Sequence, residues 1–164
     1  MSKYGKVHRQ LYLYELIHTS QEVTMEEMIK KLGVCQKTIQ RDITDLTDAG
    51  LIKLRYDRKD NVYSSEGGSG ILVAKKGTSR YLYLQKLRRL AIFLEELSDA
   101  TYYSYSDNFN CKKRYRELFP EVSERTRFRD YRTLSGMGFS IRWDAFDKCH
   151  SIDKYYDIHE NEEF

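Results

Sequence analysis

Five residues in one short run, Gln36, Lys37, Thr38, Gln40 and Arg41, have side chains that can grip or read a nucleic acid. A glutamine amide can pair through both its N–H and its C=O with the edge of adenine. Lys and Arg can neutralise phosphates or donate to guanine, and a threonine methyl can lie against the methyl of thymine. That chemistry needs all five on the outer side of one well-placed helix, since a charged run on an arbitrary surface helix only solvates it. The spacing supplies such a helix. Ile39, Ile43 and Leu46 recur at i, i+4 and i+7 and form an inward stripe, which leaves the five facing out near the helix N-terminus. Asp42 sits among them. A carboxylate facing phosphates is repelled, so Asp42 is expected to pair with a neighbouring arginine or to cap locally.

The surrounding elements explain how such a helix would be presented. Val7, Leu11, Leu13, Tyr14, Leu16 and Ile17 recur at helical spacing and predict a first helix over residues 7–19. "TMEEMIKKLG" begins with Thr24 and places Glu27 three residues later, a capping box; Met25, Met28, Ile29 and Leu32 make its buried stripe, and Gly33 can stop it in the left-handed conformation. The helix with the five polar residues follows after a tight turn and ends at Gly50. "LIKLRY" then alternates, with Ile52, Leu54 and Tyr56 on one face, and past the turn-rich "DRKDN" a short extended piece returns at "VYSS". Three helices followed by a hairpin describe a winged helix-turn-helix, whose third helix usually enters the major groove. Lys53, Arg55, Arg58 and Lys59 on the wing are candidates for contacts to the phosphate backbone.

The stretch "LGVCQKTIQRDITDLTDAGLIKL" resembles the DNA-binding domain of DeoR-type transcription regulators, in which the turn leads into Thr-hydrophobic-x-Arg-Asp, then a Leu and a Gly before the wing. The resemblance covers about the first sixty residues and implies duplex DNA as the partner. In one place the chain departs from it: the family usually has Ser where this chain has Cys35. A serine oxygen accepts from helix N–H groups and is the better N-cap, so the helix start is expected to be weakened. Regulators of this type usually carry a sugar-phosphate or other effector domain after the winged helix. Here other sequence fills that space, and no small-molecule effector is evident.

What fills it is an echo of the first part. Shifted by 88 positions, "VCQKTIQRDITDLTDAGL" lies over "VSERTRFRDYRTLSGMGF", matching Val34 with Val122, Thr38 with Thr126, Arg41 with Arg129, Asp42 with Asp130, Leu46 with Leu134 and Gly50 with Gly138 in one ungapped register. Helical spacing of Leu84, Leu87, Leu90, Ala91, Leu94 and Leu97 precedes this second copy. "DATYYSYSDNFN" reads as a polar connection, and "CKKRYRELF" as a short helix capped by Asn110. After the copy, Phe139, Ile141 and Trp143 alternate as a strand, with a return strand near Ile152 to Ile158. Arg125, Thr126, Arg129 and Arg132 are its candidate DNA contacts, in a stretch where Lys112, Lys113, Arg114, Arg116 and Arg127 add positive charge. Arg127 takes the place of buried Ile39 and Phe128 that of exposed Gln40, so the apolar face of this helix, Phe128, Tyr131 and Leu134, is expected to be rotated.

Composition sets the outer bounds. The chain has 164 residues, 40% hydrophobic, with 28 Lys and Arg against 25 Asp and Glu, a net charge of +3 that permits a local nucleic-acid patch without demanding one. No apolar run approaches the roughly 20 residues of a membrane span, and "MSKYGKVHRQ" lacks the apolar core of a signal peptide, so a cytoplasmic protein is expected. Cys35, Cys111 and Cys149 have no metal-ligand or disulfide spacing. Neither a P-loop, HExxH, GxSxG nor a dinucleotide fingerprint occurs, and Cys149 beside His150 would point to opposite faces of a strand. No catalytic residue, metal or cofactor is expected.

The reading is a mainly α protein with small β-wings, built from tandem winged helix-turn-helix domains: residues 1–66, a linker or extra strand over 67–80 that includes "GGSG" and "ILVAKK", a second winged-helix-like domain over 81–159, and an acidic tail at 160–164. Such a protein is expected to bind double-stranded DNA, with a homodimer as a further expected form, and to regulate transcription by occupying an operator; two reading units in one chain could cover two half-sites. The alternatives are a plasmid or phage replication initiator and a winged-helix adaptor that docks proteins instead of DNA.

Overall fold

The computed structural model describes residues 4–102, 110–138, 141–144 and 149–152. The chain divides into two compact units, Met1–Ala91 and Ile92–Phe164. Among the described residues no helix is long and apolar enough to cross a membrane.

In the first unit, α1 (Lys6–Thr19), β1 (Glu22–Val23), α2 (Met25–Leu32) and α3 (Gln36–Asp48) precede a hairpin of β2 (Leu54–Asp57) and β3 (Val62–Ser65), and α4 (Ser79–Tyr102) then begins. The capping box at Thr24 is formed in both directions, and Gly33 stops α2 at φ +63°. Leu11, Leu13, Ile17, Met28, Leu32, Ile39 and Leu46 are buried together with Leu84 and Leu87 of α4. The hairpin turns through Asn61 at φ +55°, and the rings of Tyr56 and Tyr63, directly opposite in the register, lie 4.9 Å apart. One strand was not foreseen. Glu22 and Val23 pair antiparallel with Ser64 and Tyr63, so the wing is a three-stranded sheet in the order β1-β3-β2. Two residues are too few to show alternation.

The stretch read as a linker or extra strand takes another form. "ILVAKK" is not a strand: the chain after β3 folds back along the end of α3, with Glu66 N–H donating to Lys53 O, Gly70 N–H to Gly50 O and Val73 N–H to Asp48 O at 2.9, 3.0 and 2.7 Å. Val73 thus bonds to the end of α3, and Ile71 N–H to the nearby Ser69 hydroxyl. Gly50 permits the approach. It stands at φ +76°, and a Cβ on it would come within 2.7 Å of the Ile71 nitrogen. The units divide between Ala91 and Ile92, inside α4, so residues 67–91 are counted with the first unit.

A polar network holds α3 from behind. Asp42 and Asp45 are buried on its inner side. Arg9 of α1 grips Asp42 with two donors, Nε at 2.6 Å and Nη2 at 3.0 Å, and Gln10 Nε2 donates to both Asp42 and Asp45, at 3.0 and 2.8 Å. Arg80 of α4 reaches Asp45 at 2.9 Å and Asp48 at 2.7 Å, while Lys6 lies 3.2 Å from Asp45. Tyr83 completes the set by donating its hydroxyl to Gln10 Oε1. Burial, joined by the charges of Asp45 and Asp42, pushes the Tyr83 phenol up to about 12, so it remains a donor. Asp42 does pair with an arginine, as its position required, but with one from α1, 33 residues away.

In the second unit, α4 residues Phe93, Leu94 and Leu97 are buried, as are Cys111 and Tyr115 of α5 (Cys111–Leu118) and Tyr131 and Leu134 of α6 (Glu124–Ser135). Phe93, Tyr115 and Tyr131 form an aromatic cluster with centroids 5.2 to 5.9 Å apart. Asn110 caps α5 and Ser123 caps α6. Strands β4 (Ile141–Asp144) and β5 (Cys149–Ile152) pair antiparallel, from Ile141 with Ile152 to Asp144 with Cys149. The return strand thus begins at Cys149, ahead of the expected Ile152, and residues 153–158 lie outside the described residues. The helix α4 runs on to Tyr102, no Gly or Pro interrupting "SDATY", so the polar connection starts later than expected. Phe139 and the tail at 160–164 lie outside the described residues.

Two outcomes follow for the network. Asp42→Ala leaves the Arg9 guanidinium, 13% exposed, without its carboxylate, and should lower stability by about 3–5 kcal/mol in urea unfolding. For Asp45, burial raises the carboxyl's pKa, but hydrogen bonds from Gln10, Arg80 and Lys6 outweigh it and hold the group below its ordinary value of about 3.9. The stability it contributes is complete above that ordinary value and is lost as pH falls through the lower folded one. Unfolding measured between about pH 2 and 5 should show a steeper loss in the wild type than in Asp45→Asn, which has no proton to take up there.

Candidate nucleic-acid interface

With the core and the carboxylates turned inward, α3 presents the candidate residues on its other side. Gln36, Lys37, Gln40 and Arg41 are exposed and Thr38 is half-buried. Among the described residues neither Lys37 nor Arg41 is engaged in an ion pair, because the acids of their own helix are held by Arg9, Gln10 and Arg80. The two cations thus remain available to an anionic partner.

The start of α3 lacks the side-chain cap that a serine would supply. Cys35 stands at the N-cap with extended backbone but makes no side-chain capping bond to the helix. Its Sγ lies 3.4 Å from Thr38 Oγ1. That hydroxyl, followed by the Thr38 backbone N–H, draws the exposed thiol's pKa below its ordinary value. Ser123 shows the alternative at the corresponding place in α6, where its oxygen accepts from Thr126 N–H.

On the wing, Lys53 stands just ahead of β2, Arg55 lies on it, and Arg58 and Lys59 occupy the turn; all four are exposed. Lys53 is 3.7 Å from Glu66, both well exposed, a pair too weak to withhold it from a phosphate. The Asp57 carboxylate accepts from Lys59 N–H at 2.8 Å and orders the turn, leaving the Lys59 ammonium outside it.

In α6, Arg125, Arg129 and Arg132 are exposed and Thr126 is half-buried like Thr38. The expected rotation of this helix does not occur. Arg127 is 2% exposed and Phe128 51%, so the arginine takes the inward place of Ile39 and the phenylalanine the outward place of Gln40. The guanidinium can go inside because Glu124 accepts from it and because it lies over two rings, 4.6 Å from the Phe128 centroid and 5.2 Å from that of Tyr131. Arg127 Nε and Nη1 have no hydrogen-bond partner among the described residues. Asp130 is buried as Asp42 is, and accepts from the Tyr115 hydroxyl at 2.6 Å. The basic footprint also narrows: Arg114 is held by Glu96 and Glu117 and Arg116 by Glu124, which leaves Lys112, Lys113, Arg125, Arg129 and Arg132 as its outward cations.

Sequence reasoning missed the residues that position α3: Lys6, Arg9, Gln10, Arg80 and Tyr83. A signal was present. Asp42, Asp45 and Asp48 at i, i+3 and i+6 mirror Lys6, Arg9 and Gln10 at i, i+3 and i+4, a complementary pattern on two helices that can pack. Supplying the absent cap is the direct check on the helix start. Cys35→Ser should raise the thermal unfolding midpoint by roughly 2–5 °C.

Comparison with known proteins agrees with this geometry over part of the chain. Residues 9–68 match the family model described as an HTH domain. No curated protein and no solved structure matches the chain. The matched span begins at Arg9 of α1, takes in α2, α3 and the three-stranded wing, and ends before α4. Residues 9–68 thus match a helix-turn-helix domain and fold as one with a three-stranded wing.

Proposed function

We propose that the protein binds double-stranded DNA in a sequence-specific way and regulates transcription by occupying an operator. The observation that carries this reading is the division of α3 into two sides. Its acids are turned inward and neutralised by α1 and α4, while Gln36, Lys37, Gln40 and Arg41 stand exposed on the helix that a winged helix-turn-helix lays into the major groove. Lys53, Arg55, Arg58 and Lys59 serve the adjoining phosphates from the wing. The resemblance of the same segment to DeoR-type regulators supports the regulatory role.

The second unit is, on this proposal, a second winged helix. Support comes from the 88-residue offset: Ile39 and Arg127, Asp42 and Asp130, and Leu46 and Leu134 are buried in pairs, Gly50 and Gly138 both have positive φ, and an antiparallel strand pair follows each helix. Arg125, Thr126, Arg129 and Arg132 are its DNA-facing residues.

Titration of the full chain with a fluorescent random duplex at two salt concentrations tests the reading. Affinity should fall steeply with salt, since each phosphate contact contributes a slope of about 0.9 in log K against log salt. Lys37→Ala combined with Arg41→Ala should weaken binding at least tenfold, each contact to a base or phosphate being worth about 1–3 kcal/mol. Absent or salt-independent binding would refute a DNA role. Unchanged affinity in the double variant would remove α3 as the contacting surface.

A further inference from the structure

One exposed side chain on α6 has no counterpart in the chemistry described so far. Phe128 stands where α3 has Gln40, and among residues 92–99 and 110–138 it is the one large hydrophobic side chain exposed to this degree, at 51%. It is not a loose surface residue. The Arg127 guanidinium lies 4.6 Å from its centroid, and the Tyr131 ring meets it at 83° and 6.4 Å, so the ring is braced from the helix side. Around it Arg125, Arg129 and Arg132 are all exposed, three residues before, one after and four after.

A braced aromatic ring among three outward guanidinium groups fits a surface that is anionic at large and apolar at one spot. An apolar protein partner would have to bury the three arginines without compensation. The major groove offers what is needed: phosphates on both walls and, at each A·T pair, the C5 methyl of thymine. The geometry points to Phe128 as the residue through which the second unit recognises thymine methyl groups, so that α6 selects A·T pairs by an apolar contact where α3 uses the amide of Gln40. This inference rests on the proposal that α6 lies in a major groove.

The test is a double-mutant cycle in which one of the two changes is made in the DNA. The probes are an A·T-rich random duplex and the same duplex with deoxyuridine in place of every thymidine, which keeps the base pairing and removes only the methyl groups. The full chain and Phe128→Ala are titrated with both at one salt concentration. Any methyl contact made by Thr38 is common to both proteins and cancels in the cycle. The wild-type preference for the thymidine duplex should exceed that of Phe128→Ala by about fourfold for each methyl contacted. Equal preferences overturn the inference. Arg129→Ala separates this failure from that of the underlying reading. If it weakens binding to both duplexes while Phe128→Ala keeps the wild-type preference, α6 lies on DNA but does not read thymine there. If neither substitution changes binding to either duplex, α6 is not on DNA and the inference falls with that reading.

Discussion

The two carboxylates buried on the inner side of α3, Asp42 and Asp45, are the constraint to which the first unit is built. Ionised carboxylates cannot leave water without partners, and here the partners come from two other helices: Arg9, Gln10 and Lys6 from α1, Arg80 from α4. A hydrophobic stripe alone can slide or rotate at modest cost, whereas a two-pronged guanidinium grip on a carboxylate fixes position and orientation together. On the proposed function, in which α3 meets base edges, such a fixed position and orientation is an advantage. The same arrangement withdraws acid from the surface where phosphates would approach.

In the second unit the inner side of α6 solves a related problem with other groups. Asp130 is satisfied by the Tyr115 hydroxyl in place of a guanidinium, and a buried arginine stands where α3 has Ile39. Arg127 keeps its charge by pairing with Glu124 and lying on the rings of Phe128 and Tyr131. An ion pair of this kind contributes little net stability compared with a well-packed hydrocarbon. Its effect is on geometry, because it ties the start of α6 to the ring exposed on its outer side.

Much of the architecture was legible in the residues because it rests on local rules. The capping box at Thr24, the left-handed Gly33, the missing cap at Cys35 and the tyrosine-bearing hairpin are each decided within a few positions of sequence, as is the cap at Asn110. The residues exposed on α3 could likewise be placed from the period of Ile39, Ile43 and Leu46. The errors share a different origin. The strand β1 exists only because β3 lies beside it, and "ILVAKK", apolar enough for a strand, is claimed by backbone groups at the end of α3. Arginine at an inward position was taken to rotate α6, when a nearby acid and two rings allow it to stay inside. In each case the deciding partner is distant in the chain or is a combination of side chains that hydrophobic spacing does not encode.

The fold-back of the chain after the wing has a bearing on what counts as one module. The matched segment ends at residue 68, before the backbone bond from Val73 to Asp48 and before the side chains of Arg80 and Tyr83. A piece cut to the motif would carry Asp45 and Asp48 without the guanidinium that serves both, and Gln10 without the phenol that orients it. The motif and the compact unit are therefore different lengths of chain. Any transplant of this helix-turn-helix into another protein has to carry the first turns of α4 with it.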